Sequence, residues 1–123
     1  MERIVLFNTN ETEKIKKITE PMRIKTLIAD PKRYNETLAE LASPKTKEKT
    51  SAENTFTDKV PSESLLLFCD VADKKIDKIL FQLRKNDINI DFKAVLTPTN
   101  SSWNVLKLYL ELERERIAYK MSR

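Results

Sequence analysis

The sequence predicts an α/β fold: a single domain of duplicated βαβα units around a four-stranded, mostly parallel sheet in the order 2-1-3-4, with helices on both faces. Three observations predict it. Two short runs, Ile4–Phe7 (IVLF) and Leu65–Phe68 (LLLF), are apolar without alternation, the pattern of strands buried on both faces. Each run leads into polar cap residues and then isoleucines at helical spacing. At an offset of 61 positions the first run falls on the second, and Ile15 and Ile18 fall on Ile76 and Ile79, an internal duplication. A ferredoxin-like α+β sheet is the competing architecture. It also centres strands 1 and 3, but it leaves one face bare unless the second and fourth helices cover it.

Taken in order, Arg3–Phe7 is the first strand. Asn8, Thr9 and Asn10 supply caps, Glu13 stands where a capping box with Asn10 would need it, and Ile15, Ile18 and Met22 mark a helix that Pro21 ends or bends. Ile24–Ala29 is the second strand. Asp30-Pro31 starts the second helix, with Tyr34, Leu38, Leu41 and Ala42 on its apolar face. From Ser43 to Glu63 periodicity is lost, and residues 44–62 are expected to form a mobile connection between the two halves. Leu65–Phe68 is the third strand, Asp70 a cap, and Ile76, Ile79, Leu80 and Leu83 the buried face of the third helix. Phe92–Leu96 is the fourth strand, and the last helix runs from Ser101 onward.

Composition narrows the chemistry. The 123 residues contain no glycine, where average usage of about 7% would supply about 9, so the Gly-rich loops that cradle phosphates are missing. There is no histidine either, which removes the commonest general base and metal ligand. No cofactor and no metal site are expected. A net charge of +4 is spread evenly, with basic runs such as Lys14, Lys16 and Lys17 interleaved with acids, so nucleic-acid binding is disfavoured. A lone cysteine, the absence of a signal-peptide pattern and the absence of a long apolar run point to the cytoplasm and away from membranes.

The segment from Ser64 to Glu115 resembles a small, uncharacterised bacterial family, a domain of unknown function numbered 3783. The strand ending in Phe68-Cys69, the helix ending in Leu83-Arg84-Lys85, and above all Lys93–Asn100 (KAVLTPTN) with Trp103 carry the likeness; Tyr34–Leu38 resembles the family's first half more weakly. Where the resemblance leads one to expect glycine after Cys69, this chain has Asp70. It implies fold relatives and no activity, cofactor or substrate.

In a doubly wound parallel sheet, ligands bind beyond the carboxyl ends of the strands where the order reverses. That rule gathers Asn8, Thr9, Asn10, Cys69 and Asp70, with Thr97, Pro98, Thr99 and Asn100 at the same edge, as a candidate site for a small anionic ligand at helix N-termini or, as the alternative, for enzymatic chemistry. The plainer reading is that these residues cap helices and that Cys69 is a small buried hydrophobe. On the last helix Trp103, Leu106, Leu110 and Ile117 form one apolar stripe and Val105, Leu108, Leu112 and Tyr119 a second. One stripe suffices to cover a sheet, so the second is expected to form a homodimer interface. No paired catalytic groups are evident, and a non-enzymatic binding or interaction module is the favoured expectation.

Overall fold

The structure, a computed structural model, describes residues 2–30, 36–42 and 62–121, with side chains up to residue 116. The chain divides into two compact units, residues 1–29 with 62–96 and residues 30–61 with 97–123. These are not the two sequence halves. The first unit takes one βαβ from each half, and the helix that follows each βαβ belongs to the second unit.

The first unit contains β1 (Arg3–Phe7), α1 (Thr12–Thr19), β2 (Lys25–Ile28), β3 (Leu65–Cys69), α3 (Asp73–Lys85) and β4 (Phe92–Val95). Its sheet has the expected order 2-1-3-4. β1 pairs with β2 and β3 with β4 in parallel, as two βαβ crossovers require. The central pair is antiparallel: Arg3 faces Cys69, Val5 faces Leu67 and Phe7 faces Leu65. The sheet is therefore mixed, and neither the doubly wound arrangement nor the ferredoxin-like one describes its centre.

The unalternated apolar runs behave as expected. Ile4 and Leu6 on β1, with Leu66 and Phe68 opposite them on β3, meet Ile15 of α1 and Ile79 and Leu83 of α3 in one core. Both crossover helices thus share one face of this sheet. The alternate residues Val5, Phe7, Leu65 and Leu67 are buried as well. Full burial of such side chains contributes roughly 1.5–3 kcal/mol each.

A glycine-free chain still has to turn. Four described residues take positive φ: Asn8 (57°) and Asp70 (58°), just after β1 and β3, and Arg23 (61°) and Asp87 (56°), which close the helical segments. Asn and Asp tolerate this region better than other β-carbon-bearing residues. Asp70 thus occupies a position suited to glycine. It does not cap α3, whose N-cap is Ala72 with no side-chain hydrogen bond. Nor does the Asn10–Glu13 box form: α1 starts at Thr12 with Glu11 as N-cap, and Thr9 Oγ1 instead accepts from the Glu11 N–H at 3.1 Å.

In the second unit, the described part of the second helix is a single turn, α2 (Leu38–Leu41), opened by a capping box between Thr37 and Glu40. Pro31 and Tyr34 lie outside the described residues, as does all but Ser62 of the expected connection at 44–62. The final helix, α4 (Val105–Met121), starts later than Ser101 because Asn104 Oδ1 accepts from the Lys107 N–H at 2.9 Å. An isolated antiparallel bridge joins Thr37 to Asn104.

Candidate functional site

The antiparallel centre separates the residues that a parallel sheet would have gathered. Asn8, Thr9 and Asn10 leave β1 at one edge of the sheet, while Cys69 and Asp70 leave β3 at the opposite edge. No single ring of strand-end residues forms.

At the first edge, Asn8 Nδ2 donates to the Glu63 carbonyl at 3.1 Å. Beside it the starts of β3 and β4 are tied together: Asp91 Oδ2 accepts from the Ser64 N–H (2.9 Å) and hydroxyl (3.2 Å), and Ser64 Oγ accepts from the Asp91 N–H (2.9 Å). A hollow of about 460 Å³ lies over these residues. Its lining includes the carboxylates of Glu11 and Asp91 and no basic side chain, which disfavours an anion there.

At the second edge the N-terminus of α3 is already served by the protein. Glu2 accepts from the Ala72 N–H at 3.2 Å and from Lys75 Nζ at 2.5 Å, and Lys75 also reaches the Met22 carbonyl. The Lys75 hydrogen bond, helped by the Ala72 N–H, holds the Glu2 carboxyl below its ordinary value. A carboxylate at a helix N-terminus is favourable, and this one sits where an external anion would dock. Asp70 pairs with Arg3 at 3.5 Å. Cys69 is fully buried, and that burial pushes its thiol up to about 11 against the smaller opposing effect of Arg3. A thiol held protonated is a poor nucleophile.

The Thr97–Asn100 loop spends its polar groups on itself. Asn100 Oδ1 accepts from the Thr97 N–H at 2.9 Å, Thr97 Oγ1 accepts from the Asn100 N–H at 3.2 Å, and Ser101 Oγ donates to the Pro98 carbonyl. Asn100 is buried, while Thr97, Pro98 and Thr99 are exposed. Two further bonds, Leu38 N–H to the Trp103 carbonyl and Ala39 N–H to the Ser101 carbonyl, anchor α2 on this loop. The distinctive motif is thus a reciprocal turn that holds α2 and launches α4.

Both stripes of α4 contribute partly covered residues, Trp103 and Leu106 of the first being half-buried. Val105 and Leu108 are buried within the chain, as is Tyr109, and Leu112 is half-buried; Tyr119 lies outside the described side chains. Among the described residues of α4, the large apolar one that is exposed is Leu110, at 57%.

A more promising feature lies on residues that periodicity alone assigns to solvated helix faces. α1 and α3 pack against one another and leave a groove of about 850 Å³. Ile18, Met22 and Ile88 form its floor and continue into the core. Phe81 stands in the wall, 53% exposed. Lys14, Lys17 and Lys78 supply three cations to the lining, against the single carboxylate of Asp77; Lys14 also pairs with Glu11 at 3.3 Å. An exposed phenylalanine in the α3 pattern is the one local signal that could have located this groove.

Among the described residues no cluster of metal-ligating side chains occurs, and no helix is long and apolar enough to cross a membrane. Residues 64–119 match the family model of a domain of unknown function, DUF3783. That span begins just before β3, takes in α3, β4 and the Thr97–Asn100 loop, and extends into α4. No curated protein and no solved structure matches the chain.

Proposed function

We propose that this chain, whose residues 64–119 carry the domain DUF3783, is a non-enzymatic protein-interaction module whose α1–α3 groove receives an acidic, apolar segment of a partner protein. The observation that carries this reading is the groove itself: an apolar floor continuous with the core, an exposed aromatic in the wall and an excess of ammonium groups around it. Aromatic side chains in concave apolar surroundings are the usual anchors of interfaces. Peripheral charge steers the approach of a partner of opposite sign.

The strand ends support an enzymatic reading less well. The side chains of Asn8, Thr9, Asp70, Thr97 and Asn100 are engaged in turns and an ion pair, and Cys69 is buried with a raised pKa.

The test is a screen of short synthetic peptides combining acidic and apolar residues, followed by amide chemical shifts on the full chain. The expected result is perturbation along α1 and α3, abolished by Phe81→Ser and weakened by Lys17→Glu. Peptides that perturb only the Asn8–Asn10 or Cys69–Asp70 turns, or that bind the Phe81→Ser variant equally well, would overturn the reading.

A further inference from the structure

Resting on that reading of the groove, we infer that the partner segment docks as an amphipathic helix, laid beside α1 and α3 as a third helix. The walls decide its conformation. Both are mainly helical, and away from the helix ends the main-chain N–H and C=O groups of α1 and α3 bond within the helix and are unavailable to a neighbour. Of the amides that line the groove, Asn86 Nδ2 is already engaged, donating to the Gln82 carbonyl at 2.8 Å and lying 3.4 Å from Gln82 Oε1. An extended peptide would find side-chain tips and no ladder, leaving buried main-chain groups without partners. A helix satisfies its own main chain and needs only an apolar stripe.

The dimensions and charges agree. α3 has 13 residues and so runs about 20 Å, enough for roughly three to four turns of a partner helix. Anchors spaced i, i+3 or i+4, and i+7 would meet Phe81, Ile18 and Met22 in turn. Glutamates flanking that stripe would face Lys17 and Lys78, for which no ion pair occurs among the described residues. The aliphatic stems of these lysines extend the apolar surface while their ammonium groups stay in water.

The experiment titrates the full chain with a labelled model peptide of about 14 residues, roughly four turns, carrying leucines at helical spacing flanked by glutamates. Its companions are a side-chain-stapled helical form, a form with a central proline and a form with lysine in place of every glutamate. Binding is read by fluorescence anisotropy, and the site by amide shifts. The inference expects the stapled form to bind best, the proline form about tenfold or more weaker, and the lysine form weakest, with shifts confined to α1 and α3. If the proline form matches the stapled one while shifts remain in the groove, helical docking is wrong and the groove reading stands. If no form shifts the groove residues, or if Phe81→Ser changes nothing, both fall. Phe81 is half exposed, so that variant should keep its core, and an unchanged circular dichroism spectrum checks that it folds.

Discussion

The two βαβ repeats obey the same rules, and the groove lies where they diverge. Ile15 and Ile79 are the fully buried isoleucines of α1 and α3, and Arg23 and Asp87 are the positive-φ residues that close the helical segments; both pairs are spaced by 64 residues. β1 and β3, with the positive-φ residues Asn8 and Asp70 that follow them and the core-facing pairs Ile4/Leu66 and Leu6/Phe68, repeat at 62 and not at the 61 that the apolar runs suggest, so the second repeat has gained two residues before its buried isoleucine. At the spacing of 64, Lys14, Lys17, Ile18 and Met22 correspond to Lys78, Phe81, Gln82 and Asn86, and all eight line the groove. Equivalent positions of the two units thus line it together. One wall kept aliphatic residues where the other took amides, and Phe81 stands where the first repeat has Lys17. Buried positions cannot drift in this way, because volume and polarity are policed by packing. Surface positions are free to specialise.

Substitution of matched residues tests how alike the repeats are. The largest effects belong to the central strands: Leu6→Ala and Leu66→Ala, at directly paired positions, should each cost about 2–5 kcal/mol in chemical denaturation. Similar losses would support an equivalent centre; a loss in one repeat under about 1 kcal/mol would mean that its half of the core relaxes around the cavity. Smaller effects belong to the closing turns. Arg23→Gly should stabilise by up to about 1 kcal/mol, because relief at φ 61° outweighs the entropy of a freer unfolded chain, whereas Asp87→Gly should gain less. A loss at Arg23→Gly would show that its side chain does more than tolerate the turn.

The smallest effect concerns a cap that the first repeat lacks. Glu2 serves the N-terminus of α3, whereas α1 relies on Thr9. The Glu2 carboxyl titrates lower when folded than when unfolded, so its contribution is present at neutral pH. That contribution is lost as pH falls through the folded value, below the ordinary carboxylate range of about 4. Glu2→Gln should therefore lower stability slightly at pH 7 and leave it unchanged near pH 2, read as denaturation midpoints across pH. An equal deficit at both ends would assign the effect to shape and not to charge.

Much of the architecture was legible because its signals are local. Unalternated runs located β1 and β3, isoleucine spacing located α1 and α3, and the repeat with short crossovers led to the order 2-1-3-4. Side-chain capping was less legible. Asn10 and Asp70 are good cap residues by type, yet neither caps, and it is Thr9 and Glu2 that accept from the N–H groups of the N-cap residues Glu11 and Ala72, the latter from 70 residues away. A hydrogen bond from a distant strand leaves no local trace.

By itself the sequence determined which segments are strands, which faces are apolar and that glycine-built phosphate loops are absent. Tertiary structure alone decided the direction of β3 against β1. An apolar run such as LLLF suits either direction, and the long stretch between β2 and β3 can return the chain to either edge. That one choice split the strand-end residues between opposite edges. It also placed both crossover helices on one face, where α1 and α3 meet. Lys17 and Phe81, each an ordinary helix-surface residue in its own segment, thereby became parts of one groove.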